Sequence, residues 1–204
     1  MYSSCIITFA CINQTYAQNA KVRFGIKAGV DLMTQGSFVD NYSGRSEGYQ
    51  YRAGFQAGLC SVVTISNKID FIPQILYTQK GATALKPFLV ESDAIGQVMY
   101  ENRINYLDVP LLIGFKSQPG FTLFIGPQVA FLLSQKTSLY NTTTTGTDGL
   151  KSEVISGNLG LGFAAGPDVS INLIYNRDFQ RTAKGDVNGT ERNSGLAFTV
   201  SYLF

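Results

Sequence analysis

The nine residues from Leu196 to Phe204 alternate without a lapse. Leu196, Phe198, Val200, Tyr202 and Phe204 share one face of an extended strand, and Ala197, Thr199 and Ser201 share the other. A strand edge with so apolar a face, ending on an aromatic ring, invites aggregation unless another strand closes against it. Lipid outside and polar groups inside a closed barrel satisfy both the face and the edge.

The same period of two recurs along the chain. Val22–Leu32 sets Phe24, Ile26, Ala28 and Val30 against Arg23, Lys27 and Asp31. Tyr49–Ile65 sets Tyr51, Phe55 and Leu59 against Arg52, Gln56 and Cys60. Ile69–Lys80 sets Phe71, Ile75 and Tyr77 against Asp70, Gln74 and Thr78. Arg103–Lys116 sets Leu107, Leu111 and Phe115 against Tyr106, Asp108 and Leu112. Phe121–Leu133, Val154–Gly166 and Val169–Phe179 continue the pattern, and the closing strand completes eight. Each is about ten residues, the length of a tilted membrane strand. Pro73 and Pro110 fall inside two of them. A proline removes a ladder donor, so local irregularity is expected at both.

The connections alternate strictly. Residues 66–68, 117–120 and 166–168 are short turns; 33–48, 81–102, 134–153 and 180–192 are long, polar and rich in Gly, Ser, Thr and Asn. Outer-membrane barrels have this asymmetry, with short periplasmic turns and longer external loops. Aromatics fall at matching depths on the apolar faces. Phe24, Phe71, Phe115, Phe121, Tyr202 and Phe204 would ring the periplasmic side, and Tyr51, Tyr77, Phe131 and Tyr175 the external side. Arg177 then lies where its guanidinium reaches lipid phosphates. The expected fold is all-β: an eight-stranded antiparallel up-and-down transmembrane β-barrel with short periplasmic turns and four long external loops.

Residues 1–20 are expected to be an export signal lacking its basic opening, because an apolar run from Cys5 to Ile12 precedes small residues around Ala17. Residues 21–204 would form the barrel. With both early cysteines removed, Cys60 would be the sole thiol and no intrachain disulfide could form.

Composition narrows function by exclusion. Sixteen Lys and Arg against fourteen Asp and Glu give no basic surface for nucleic acid. The chain has no histidine, which removes the commonest general base, the usual metal ligand and every Ser-His or Cys-His pair. A non-enzymatic protein without cofactor or metal is expected. The run Gly157-Asn158-Leu159-Gly160-Leu161-Gly162 lies within a strand rather than opening a helix, so it reads as space-saving inside a narrow barrel rather than as a phosphate loop.

The inward set includes Arg23, Lys27, Arg52, Asp70, Gln74, Lys80, Asp108 and Asp178. An eight-stranded barrel has room for side chains and little else, so these are expected to form a plug of ion pairs and hydrogen bonds. Arg23 is expected to meet Asp70 near the periplasmic end, and Asp108 a cation nearer the middle. An ion path or carboxylate chemistry is the functional alternative.

Several pieces together resemble the outer-membrane β-barrel domain of Bacteroidota, the porin-family or PorT-like group. They are Phe24 to Gly29, Gly54 to Gly58, Pro73 to Tyr77 with Lys80-Gly81, Tyr106 to Leu112, Gly126-Pro127 and Tyr202-Leu203-Phe204. Gln74 and Asp108 stand where the family often has Glu. The resemblance implies the outer membrane of a Gram-negative bacterium. It also implies that the terminal strand, with Phe198, Val200, Tyr202 and Phe204, is read by the barrel-assembly machinery. The expected role is structural or surface-interacting through the external loops, with outer-membrane lipid as the surrounding. A narrow pore or secretion-apparatus component is the alternative. A soluble lipocalin-like barrel would turn its apolar faces inward.

Overall fold

In the computed structural model, residues 21–39, 46–89, 95–139, 142–147, 149–183 and 192–204 are described. Segment 1–20, expected to be an export signal, lies outside them with Cys5 and Cys11. The strands are β1 (Lys21–Thr34), β2 (Ser37–Val39), β3 (Ser46–Gly48), β4 (Gln50–Ser66), β5 (Ile69–Leu89), β6 (Ile95–Gln118), β7 (Phe121–Leu139), β8 (Thr142–Thr145), β9 (Glu153–Ala164), β10 (Val169–Asp178) and β11 (Ser194–Leu203).

Nine strands form one sheet in the order β6-β5-β4-β1-β11-β10-β9-β7-β8, and β6 also pairs with β7. Setting aside β8, which hangs on β7 alone, that pairing closes eight strands into a ring. Every neighbour is antiparallel and adjacent in the ring order of the chain. The up-and-down barrel expected from the alternation is the fold.

The orientation of the faces follows the pleat. Lys27 and Gln56 are 4% and 7% exposed, whereas Phe198, Val200, Leu123 and Leu111 are 51%, 44%, 40% and 41% exposed. A soluble barrel would show the reverse. The exposed apolar side chains run around the whole wall, far beyond the patch a water-soluble monomer presents.

Three connections are more ordered than the polar composition suggests. The 81–102 segment contains the ends of an extended β5–β6 hairpin, paired as far as Leu89 with Ile95. In 134–153, β7 continues to Leu139 and folds back onto β8. In 33–48, β2 and β3 make a separate small hairpin. Above the lipid zone both faces of a strand meet water, so the apolar alternation that marks a strand disappears while the backbone ladder continues.

The ladder is locally interrupted beside both prolines, as expected. Partnering lapses between Pro73↔Leu111 and Leu76↔Asp108, yet the register on both sides of the lapse is the same. Register shifts occur elsewhere: towards the external rim between Tyr51 and Gln56 on β4 and between Asn105 and Tyr106 on β6, and at the periplasmic turns between Thr64 and Ser66 and between Lys116 and Gln118. The wall tolerates the missing donors locally and takes its extra twist at the bulges towards both rims. At the periplasmic turn, Gly120 has φ +89°, a conformation glycine adopts without strain.

Candidate functional site

The lumen is filled in layers. On the periplasmic side, Ile72, Leu112, Phe124, Ile174 and Ala197 pack together. Adjacent glycines make the space: a Cβ on Gly162 would lie 2.5 Å from the Phe124 ring, and one on Gly160 2.6 Å from the Leu173 carbonyl oxygen. The glycines at 160 and 162 therefore serve packing.

Above that layer lie the charges. Lys80 Nζ is 3.1 Å from Asp108 Oδ2, with both side chains almost wholly buried, and the ammonium sits 5.1 Å from the Tyr106 ring centroid. Lys27 Nζ donates to Gln74 Oε1 at 3.1 Å. Gln56 Nε2 donates to Asp31 Oδ1 at 2.7 Å. An amide chain crosses the opposite wall, with Asn176 Nδ2 donating to Asn158 Oδ1 (2.9 Å) and Asn158 Nδ2 to Gln128 Oε1 (3.0 Å). Asp178 accepts from Ser156 Oγ at 2.6 Å and from Asn193 Nδ2 at 2.7 Å. Cavities of about 20 and 40 Å³ remain beside Lys27, room for one or a few waters.

Ile104, Tyr106, Ala130, Val154 and Leu150 close the external side. Leu150 comes from the β8–β9 connection and bridges to Ala183 in the β10–β11 connection. Lys151 N donates to the Thr182 carbonyl oxygen at 2.8 Å. Thr182 in turn accepts from Asn193 at 3.1 Å. Two external connections thus fold into the mouth.

Of the eight charged or amide residues expected inside, Lys27, Gln74, Lys80, Asp108 and Asp178 occupy the lumen. The cation expected near Asp108 is Lys80. The expected Arg23–Asp70 pair is not formed. Arg23 lies half-buried at the periplasmic rim, where its guanidinium binds the Asp168 carboxylate, the Pro167 carbonyl oxygen at 2.8 Å and the Leu203 carbonyl oxygen at 3.1 Å. Asp70 instead accepts from Lys116 Nζ at 2.7 Å. Both replacements come from turn-proximal residues that outcompete the longer reach across a strand. Arg52 is buried, but its Nε donates to Glu101 Oε1 at 2.9 Å. Arg52 lies in the irregular stretch of β4 between Tyr51 and Gln56, and its Nη2 also donates to Gln79 Oε1 at 3.4 Å.

The amides Gln128, Asn158 and Asn176, together with Asp31, Tyr106 and Asn193, belong to the lumen as much as the charges do. All but Asn193 were legible by strand parity; a search restricted to ionisable groups passes over most of them.

Glu101 stands on the external extension of β6, outside the lipid zone. Hydrogen bonds to one carboxylate oxygen from Arg52 and, at 3.1 Å, from Arg103 hold its carboxyl below the usual carboxylate range. Because the native value is depressed, its stabilisation is complete above about pH 4.5, the unfolded value, and disappears as pH falls through the native one. Glu101→Gln is expected to cost no more than about 1 kcal/mol, since the group is partly solvated. The difference in urea midpoint between wild type and variant should be flat above pH 5 and shrink below it; a difference independent of pH down to 3 would contradict the pairing.

The aromatic sets sit on the outward surface: Phe24, Phe115, Phe121, Tyr202 and Phe204 are exposed at one end, Tyr51, Phe131 and Tyr175 towards the other, with Phe71 and Tyr77 partly covered. Phe121 packs on Phe163 at 5.2 Å, and Tyr77 on Phe55 at 5.6 Å.

No curated protein sequence matches the chain. Among solved structures, neisserial surface protein A (NspA) is 14% identical with a TM-score of 0.56, over 89% of this chain and 97% of that one. Ail, the attachment invasion locus protein of Yersinia pestis, is 14% identical with a TM-score of 0.49, over 90% and 99%. OprG of Pseudomonas aeruginosa is 14% identical with a TM-score of 0.44, over 91% and 97%. The NspA likeness is one of fold. The outer membrane protein beta-barrel domain matches residues 16–183. A closed ring of eight strands, apolar outside and polar within, is what that domain builds, and the chain belongs to this family of outer-membrane barrels.

Proposed function

We propose that the protein is a non-enzymatic, non-conducting outer-membrane barrel that acts at the cell surface through its external hairpins. The observation that carries this is the filled lumen. An apolar layer lies towards each end, and between them Lys80 pairs with Asp108 while Lys27, Asp31 and Asp178 are each held by amide or hydroxyl side chains. The external connections either seal the mouth or, as the β5–β6 hairpin, stand well beyond the lipid zone. Reconstituted into planar bilayers, the full chain should give no steps of porin size. Regular openings of that size would overturn the reading in favour of transport.

A narrow path is favoured by one feature. Asp31 Oδ2, Asp108 Oδ1, Gln128 Nε2 and Asn176 Oδ1 are buried without a hydrogen-bonding protein partner, and the cavity nearby is polar on several sides. Conductance that changes with Asp108→Asn would assign that path; none at all would assign these atoms to trapped water.

The outward Phe198, Val200, Tyr202 and Phe204 supply an apolar terminal strand of the kind the barrel-assembly machinery reads. The pieces shared with PorT-like barrels of Bacteroidota support that branch as its relatives. Crosslinking through the external hairpins on intact cells identifies the surface partner.

A further inference from the structure

The outward face of β5, β6 and β7 changes character in successive rows from the external edge of the apolar zone upwards. Tyr77, Leu107 and Phe131 form one row of partners, and Gln79, Asn105 and Ser134 the next. Gly81, Arg103 and Lys136 follow, with Thr145 of β8 beside Lys136. Above these lie Thr83, Glu101, Ser138 and Thr143. Arg103 and Lys136 are thus directly opposite each other on neighbouring strands, both exposed, an arrangement that is unfavourable when nothing lies between the two charges.

Glu101 does not resolve the conflict. One of its carboxylate oxygens serves both Arg52 and Arg103. That leaves two guanidinium groups on one acid. Among the described residues no carboxylate is ion-paired with Lys136. Among the described residues of the neighbouring strand β9, the acid Glu153 is opposite Phe131 in a lower row. Among the described residues of these rows, Arg52, Arg103 and Lys136 stand against Glu101 alone, and the balance is positive.

Depth supplies the second argument. Phe115 and Leu107 mark the apolar stretch of β6, about 20 Å along the barrel axis at roughly 3.3 Å per residue and a tilt of about 40°. Arg103 then lies about 10 Å higher, at the level of lipid headgroups. Its side chain faces laterally, towards neighbouring lipid rather than the lumen. The hydroxyl and amide groups of Asn105, Ser134 and Thr145 border it, although Asn105 Nδ2 already donates to Ser134 Oγ at 2.8 Å.

We propose that Arg103 and Lys136 form a lateral site for the phosphate of an anionic outer-leaflet lipid. The phosphate lies between the two cations and removes their repulsion, while Asn105, Ser134 and Thr145 face the polar part of the headgroup. The site is independent of whether the lumen conducts, because it rests only on the outward wall and its depth.

The test uses the full chain in dodecylphosphocholine micelles, titrated with phosphatidic acid or phosphatidylcholine and read by native mass spectrometry of retained lipid. Phosphatidic acid should be retained in preference to phosphatidylcholine. Arg103→Gln/Lys136→Gln should weaken its retention about thirtyfold, and Lys136→Gln alone about fivefold, from roughly 1 kcal/mol per cation near the surface. Lys21→Gln/Lys68→Gln, which removes two charges from exposed periplasmic positions, should leave it unchanged. Heat-modifiable gel migration reports folding of each variant; the single Lys136 substitution carries the test if the double one does not fold. Equal retention by wild type and the folded Arg103/Lys136 variants would overturn the proposal, as would an equal loss in the Lys21/Lys68 control. Displacement of phosphatidic acid by millimolar inorganic phosphate would assign the site to free phosphate and likewise overturn it.

Discussion

Asp108→Ala is expected to destabilise the barrel by about 3–5 kcal/mol, because it strands the Lys80 ammonium in the lumen without its acid. Lys80 is 1% exposed and Asp108 3%. Tyr106 offers the cation its ring face, but that attraction is about 2 kcal/mol at a desolvated site and does not replace a carboxylate. Asp31 and Asp178 also act on Lys80 electrostatically, which sets the expectation towards the lower end of the range. The double variant Lys80→Met/Asp108→Leu should recover most of the loss, since removing both charges leaves no unpaired one. Urea unfolding of the barrel in lipid vesicles measures each. A single-variant loss below about 1 kcal/mol would mean that bulk water reaches Lys80, and the filled-lumen reading would fall with it.

How much of this was legible in the sequence depends on which side of a strand meets hydrocarbon. Where one face is lipid-exposed, alternation fixes parity: Lys27, Gln56, Gln74, Lys80 and Asp108 all lie inward as the pattern requires. Where both faces meet water, it carries no signal. Residues 81–89 and 95–102 read as loop yet continue the ladder. Glu101 falls in that stretch, so Arg52 could be assigned to the lumen but its partner could not. Parity also says nothing about which inward groups meet, because tilt and register decide that. Arg23 and Asp70 are both near the periplasmic end, but Asp168 and Lys116, each close to a turn, reach them first. Leu150 was illegible for a different reason. A lone apolar residue in a polar connection gives no periodic signal, and its packing against Ile104 and Val154 depends on the bridge to Ala183.

The lipid-facing half of the alternation has its own test. Leu173 is 46% exposed on β10, midway between Val169, opposite Tyr202 near the periplasmic rim, and Arg177 near the external one. Leu173→Arg is expected to cost about 2–4 kcal/mol, the penalty for a cation on the lipid face near the bilayer midplane. Val169→Arg, on the same face but near the interface, is expected to cost about 0–1 kcal/mol, because its guanidinium can extend to the headgroups. The native Arg177 already occupies the corresponding external depth. Comparing the two substitutions on one strand holds strand propensity and neighbours nearly constant, so the difference isolates depth in hydrocarbon. Vesicle refolding in urea supplies the measurement. If Leu173→Arg and Val169→Arg cost the same, the wall does not face a lipid interior at Leu173, and the outward turn of the apolar residues would need another cause. A steep difference instead locates the bilayer midplane near that residue, and sets the height from which Arg103 and Lys136 are counted.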